Sequence, residues 1–239
     1  MHLRVILPVI GNALLDSVRA EAAAWAAPGT EVDVVSLARG PASIESEYDE
    51  ALAAPGILDR VREAAADGVD GVFVTCFADP AVPAAREIVD VPVVGGFEPA
   101  VLTALGLGER VGIVTVRPNV LPMLHGLFRR YGLAERLGAI RVVDIPVLGL
   151  DDHDALVDRI HAQAADAVAR READVIVLGC TGMLGVARAV QDRLEKDGAY
   201  VPVVDPTAAA VTWLERADRL GLRASRTTYM PPPAKERVA

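Results

Sequence analysis

The sequence predicts an α/β protein of two similar lobes, each a mostly parallel sheet covered by helices, with a cleft between them. Short β-branched runs alternate with alanine-rich stretches from one end of the chain to the other, the rhythm of βα units feeding parallel sheets. One unit also occurs twice: VDGVFVTC, Val69 to Cys76, aligns without gaps on ADVIVLGC, Ala173 to Cys180. Each copy is followed by a helix holding an Ala-Arg pair, Ala85-Arg86 and Ala187-Arg188, then by a second strand, VPVVG from Val91 and VPVVD from Val201. A repeated strand, cysteine, helix, strand unit implies lobes related by a pseudo-twofold axis. With 239 residues, 52% of them hydrophobic, the chain has enough apolar material for two such lobes.

The elements follow in order. Leu3 to Leu7 reads as the first strand, Ala13 to Ala26 as an alanine-rich helix, and valine-rich Glu31 to Ser36 as the second strand. A helix over Ile57 to Asp67 precedes the repeated strand Gly71 to Thr75. Next come a helix over Pro80 to Val89, whose proline suits a first helical turn, and the strand Val91 to Gly95. The second half runs as strand Arg110 to Thr115, helix Asn119 to Tyr131, strand Ile140 to Ile145 and helix His153 to Arg171. It closes with strand Val175 to Gly179, helix Val186 to Asp197, strand Val201 to Asp205 and helix Thr207 to Leu220. Lobe 1 is drawn as 1–97 plus 206–239 and carries Cys76; lobe 2 is 98–205 and carries Cys180. The tail from Tyr229, with three consecutive prolines followed by charge, reads as a frayed or extended end.

Composition narrows the function. Lys and Arg number 24 against 33 Asp and Glu, a net −9, and no basic cluster gives a nucleic-acid footprint. The apolar N-terminus is broken by Arg4, Pro8, Gly11 and Asp16 and reads as strand, turn and helix, not a signal peptide. No apolar run reaches the roughly 18 residues of a membrane span, so the chain is expected to be cytoplasmic. There its 2 cysteines stay reduced and act as thiols. His2, His125, His153 and His161 lack the paired helical spacing of metal ligands, so no metal site is expected. No GxGxxG, GxxxxGK[ST] or GxSxG segment occurs. Glu45 to Glu50 and Asp151-Asp152 read as solvated loop and helix-start charge.

The two cysteines occupy equivalent positions at the carboxyl ends of repeated strands, where ligands collect in parallel α/β sheets. Each precedes an expected helix start, Asp79-Pro80 and Thr181-Gly182, whose amides and positive end favour thiolate below the free-thiol pKa of roughly 8.5. A thiolate and a thiol on opposite faces of a carbon acid would remove an α-proton and return one from the far side, inverting the centre. The enolate-like oxygen then needs donors. Amides after Cys76 and Cys180 and the hydroxyls of Thr75, Thr115, Thr181 and Ser43 are nominated. For the hydroxyls the plain alternative is a cap or a turn; for the cysteines it is a pair of small buried hydrophobes.

These residues carry a resemblance. GPASIE from Gly40, YDEA from Tyr48, GVDG from Gly68, CFADP from Cys76, AREI from Ala85, PVVG from Pro92, GIVT from Gly112, VIVLGCTGM from Val175 and PVVDP from Pro202 run nearly the whole chain to about Pro206. The sequence resembles the hydantoin and allantoin racemases of the aspartate/glutamate racemase superfamily. The resemblance implies two Rossmann-like lobes, Cys76 and Cys180 as the catalytic pair, no cofactor, a small-molecule substrate and a homo-oligomer. Around the thiols it points to Pro8, Val9, Ile10, Asn12, Ser43, Ile44, Thr75, Phe77, Thr115, Thr181 and Gly182 as substrate contacts.

One departure bears on substrate. Hydantoin racemases usually end the first strand in Asn-Pro-Asn-Thr, whereas this chain reads Leu7-Pro8-Val9-Ile10. Either the Gly11 amide and Asn12 supply the missing contacts, or the substrate is more apolar there. In GGFEPA, Glu98 is read as a cap of the following helix. The leading expectation is racemisation of a 5-substituted hydantoin or allantoin. An Asp/Glu racemase, an arylmalonate decarboxylase or maleate isomerase relative, and a silent metabolite binder are the alternatives.

Overall fold

The structure is a computed structural model that describes residues 1–198 and 200–236. Its framework is two four-stranded sheets of one design. The first holds β1 (His2–Ile10), β2 (Glu31–Leu37), β3 (Gly71–Val74) and β4 (Val93–Val94) in the order β2-β1-β3-β4. The second holds β5 (Val111–Thr115), β6 (Leu137–Val142), β7 (Val175–Leu178) and β8 (Val203–Val204) in the order β6-β5-β7-β8. Every neighbouring pair is parallel, and the strand order matches as the repeat implied. GVFV of β3 and VIVL of β7 are buried at every residue because helices cover both faces, which is why they read as unbroken apolar runs.

The helices are α1 (Leu15–Trp25), α2 (Glu47–Ala66), α3 (Val82–Ile88), α4 (Phe97–Leu105), α5 (Leu121–Arg130), α6 (His153–Ala169), α7 (Ala187–Lys196) and α8 (Pro206–Arg219). Spacing decides what they bury: α6 sets Leu156, Val157, Ile160, Ala164 and Ala167 on one face against β5 and β6. Burying a side chain such as Ile160 stabilises by roughly 2 to 3 kcal/mol. Two helices cross over. α4 leaves β4 of the first sheet but packs on β5, β7 and β8; α8 leaves β8 of the second but packs on α1, β3 and β4.

Four expectations need correction. α2 begins at Glu47, not Ile57: the Ser46 hydroxyl accepts from the Asp49 amide (3.2 Å) and the Asp49 carboxylate accepts from the Glu45 amide (3.1 Å). This resembles a capping box, with Asp49 reaching the amide one residue before the Ser46 cap, and the helix continues past Pro55. α4 lay outside the expected ranges because Pro99 looks like a break; it sits in the first turn, where its missing N–H has no helical partner. β6 starts at Leu137 and ends at Val142, and the chain then turns through Asp144 at φ 57. The tail is docked up to Tyr229. The Arg226 guanidinium donates to the carbonyls of Arg86 (2.8 Å), Val89 (2.5 Å) and Tyr229 (2.8 Å) and pairs with Asp90 (2.8 Å). Tyr229 in turn accepts from Arg86 (3.1 Å) and lies under its guanidinium. Residues 237–239 of that expectation lie outside the described residues. Among the described residues no helix is long and apolar enough to cross a membrane.

Candidate active site

Cys76 leaves β3 and Cys180 leaves β7, so the parallel design carries both thiols to the carboxyl ends of the central strands. Both face one cavity of about 790 Å³ between the sheets. The environments mirror each other: the Gly182 N–H donates to the Cys180 sulfur (3.3 Å), and the Ala78 N–H does the same for Cys76. Among the described residues no hydrogen bond engages the amide of Phe77 or of Thr181, the residues that directly follow the cysteines. The walls are otherwise mostly carbon, with Ser17, Glu21, Asp151 and His153 among the lining. Leu7, Pro8, Val9, Ile44 and Phe77 come from one side; Val116, Val120, Met123 and Leu124 come from the other.

The thiolate expectation fails for the empty site. α3 begins only at Val82 and α7 at Ala187, more than a helical turn beyond the cysteines, so neither cysteine sits at a helix start. Burial pushes the Cys180 thiol up to about 11, opposed by the Gly182 and Met183 amides and reinforced by Glu45. Burial pushes Cys76 higher still, and Cys180 adds to that push. Each residue is half-buried and faces the cavity. With no substrate bound, burial pushes both toward the protonated form.

Of the nominated residues, Pro8, Val9, Ile44, Thr75, Phe77, Thr181 and Gly182 line the cavity with the cysteines. Four do not. Ile10 is 44% exposed at the end of β1, and its amide donates to Pro41. The Asn12 side chain accepts from Ser36 (3.2 Å), and Ser43 donates to Glu45 (3.2 Å). Thr115 is fully buried with its hydroxyl spent on the Gly179 carbonyl (3.0 Å). The Thr181 hydroxyl is likewise spent, donating to the Thr75 carbonyl (3.0 Å) across the lobes. The Thr75 hydroxyl, on the cavity and in no hydrogen bond among the described residues, and the open amides are therefore the donors on offer.

Two acidic residues take roles that the sequence did not suggest. Glu45, expected in solvent, reaches across the cleft to accept from the Val147 amide (2.9 Å). It thereby fixes a segment whose Val147, Leu148 and Leu150 close one side of the cavity. Glu50, in the same run, is also not freely solvated: burial pushes its carboxyl up to about 7, with Glu47 adding to that and Arg130 opposing it. The second is Asp79, 4% exposed, which receives the Phe97 (2.8 Å) and Glu98 (3.1 Å) amides and so caps α4. Glu98 does not cap; it pairs with Arg86 (2.5 Å). Asp152 caps α6 as expected, its carboxylate accepting from Ala155 (3.1 Å). The wall residues Val116 to Leu124 were legible only through the repeat, since β5 occupies the place of β1. Among the described residues no group of three or more His, Cys, Asp or Glu is placed to hold a metal.

Paired sheets with a thiol at the carboxyl end of each central strand define a class: α/β enzymes that work on a small molecule held between lobes. The Asp/Glu/hydantoin racemase family model matches residues 4–214. Hydantoin racemase from Pseudomonas sp. (strain NS671) is 37% identical over 240 residues, covering 100% of this chain and 94% of the relative. Hydantoin racemase from Paenarthrobacter aurescens is 35% identical, covering 99% of both. Allantoin racemase from Klebsiella pneumoniae superposes with a TM-score of 0.92 at 35% identity, over 100% of this chain and 96% of the other. The chain belongs to the Asp/Glu/hydantoin racemase family, and its enzyme class is isomerase.

Proposed function

We propose that this protein racemises a 5-substituted hydantoin with an apolar substituent by proton transfer between Cys76 and Cys180. The observation that carries the reading is the placement of the chain's two cysteines at equivalent ends of two equivalent strands, on one cavity. The thiolate of one cysteine takes the α-proton and becomes a thiol, the thiol of the other gives its proton to the opposite face and becomes a thiolate, and total charge is unchanged. The open amides of Phe77 and Thr181 suit the oxygen on which charge develops. Because burial pushes both thiols toward the protonated form in the empty site, the N–H groups of a bound amide ring are the natural stabilisers of the thiolate.

The mostly apolar walls, despite Ser17, Glu21, Asp151 and His153 in the lining, favour an apolar substituent over the ureido group of allantoin. Each polar group buried there without a partner costs roughly 1 to 3 kcal/mol. The test is proton NMR in deuterated water with both enantiomers of 5-benzylhydantoin, allantoin, aspartate and glutamate. Loss of the α-proton signal is expected at least about tenfold faster for 5-benzylhydantoin than for allantoin. Cys76→Ser and Cys180→Ser should each abolish racemisation while sparing exchange of one enantiomer. Full exchange of both enantiomers in both variants sinks the two-thiol mechanism.

A further inference from the structure

Through the repeat, Asp79 and Gly95 of the first lobe correspond to Met183 and Asp205 of the second. The second lobe is self-contained: Asp205, at the end of β8, caps the helix that follows, its carboxylate accepting from Thr207 (2.7 Å) and Ala208 (3.0 Å). Met183, in the turn after Cys180, is 1% exposed and carries no charge. In the first lobe the carboxylate has changed places. The residue after β4 is Gly95, and α4 is capped by Asp79, which belongs to the turn after Cys76. The two positions compete for one space: a Cβ at residue 95 would lie 2.7 Å from the Asp79 Cγ.

The same few residues are tied a second time. The amides of Asp79 (3.4 Å) and Gly96 (3.0 Å) both donate to the Cys76 carbonyl. To reach α4, Asp79 adopts a left-handed φ of 53, a conformation that non-glycine residues rarely hold without outside support. The turn after Cys180 keeps only the matching Met183 to Cys180 bond (3.2 Å) and sends no carboxylate to a neighbouring helix.

We propose that Asp79 is a positioning residue for Cys76. By capping α4 from the cysteine's own turn, it fixes the Cys76 thiol relative to a helix that packs on the sheet carrying Cys180. The inference rests on the two-thiol reading above. It makes the walls of the site unlike, with Cys76 clamped by a carboxylate from its own turn and Cys180 held by its turn and by the Thr181 bond to the Thr75 carbonyl.

The test is the double variant Asp79→Gly/Gly95→Asp, which moves the carboxylate to the place Asp205 occupies in the other lobe. Net charge is kept, the left-handed residue becomes a glycine and the carboxylate link to the Cys76 turn is cut, while the Gly96 to Cys76 bond stays. The new Cβ lies 2.8 Å from the residue 79 Cα, so the freed glycine backbone must shift to admit it. The readouts are the melting temperature and the α-proton loss of each 5-benzylhydantoin enantiomer in deuterated water, with Cys76→Ser and Cys180→Ser assigning each enantiomer to its thiol. The melting temperature reports the cost of that shift, and Asp79→Gly alone should lose more than about 3 °C. Exchange at the Cys76 face should fall about tenfold or more relative to the Cys180 face. Asp79→Asn, which keeps an acceptor and tolerates the left-handed backbone, should hold the ratio near wild type.

An unchanged ratio in the double variant overturns the clamp and leaves Asp79 as a helix cap. Should the double variant not fold, the ratio in Asp79→Gly decides in the same way. If the wild type exchanges none of the panel, the proposed function fails separately. The clamp is then read from the ratio of Cys76 to Cys180 alkylation by iodoacetamide, which should change at least about threefold in the double variant, and an unchanged ratio overturns it.

Discussion

Replacing Glu45 with alanine should weaken substrate binding by loosening one wall of the cleft. The carboxylate makes the hydrogen bond that fixes the Val147 amide, at 2.9 Å, and this segment carries Val147, Leu148 and Leu150 to the cavity. Hydrogen bonds to charged groups contribute about 1.5 to 3 kcal/mol, and partial exposure puts this one at the lower end. At about 1.4 kcal/mol per decade, Glu45→Ala should raise KM for 5-benzylhydantoin roughly tenfold. Glu45→Gln keeps an acceptor but loses the charge, so about a threefold rise is expected. A second effect separates the two roles. Glu45 adds to the upward push on the Cys180 thiol, so both variants should shift the midpoint of Cys180 alkylation to lower pH. The assays are loss of optical rotation with substrate concentration and iodoacetamide labelling against pH, read by mass spectrometry. A KM within twofold of wild type in Glu45→Ala, with kcat lowered instead, would refute the wall-fixing role.

Two further outcomes follow from buried charge and from the docked tail. Burial raises the Asp79 carboxyl to about 7, against about 4 in an unfolded chain, so between those values the folded protein holds a proton that the unfolded chain has released. Stability from this group is therefore greatest below pH 4 and declines as pH rises to 7, by about 4 kcal/mol at most. Melting temperatures across pH 5 to 8 should fall less steeply for Asp79→Asn than for wild type, and parallel curves would show that Asp79 does not titrate there. Arg226→Ala removes four bonds to carbonyls and the Asp90 pair. It should cost about 1 to 3 kcal/mol, a fall of roughly 3 to 10 °C in thermal melts, with racemisation at room temperature intact.

The repeat made the paired sheets and the equivalence of Cys76 and Cys180 legible, because a strand buried on both faces must be written in β-branched apolar residues. Local signals failed where distant partners decide. Asp79 reads as an ordinary helix-start residue, and only the folded chain brings α4 to it. Glu45 sits in an acidic run that looks solvated until Val147 arrives from 102 residues away. The hydroxyls of Thr115 and Thr181 looked available because their acceptors, the carbonyls of Gly179 and Thr75, leave no trace in side-chain identity. The thiol environment was misjudged because each helix begins more than a turn beyond its cysteine.

The crossing of α4 and α8 makes the lobes inseparable. Each sheet borrows its covering helix from the opposite half of the chain, so cutting near residue 108, between α4 and β5, would leave both fragments with a bare apolar face. Two look-alike halves have been stitched together twice, at Gly96 and at Pro206. A chain built this way can change the contents of its cleft one side at a time, but it can lose or exchange a lobe only by rebuilding both.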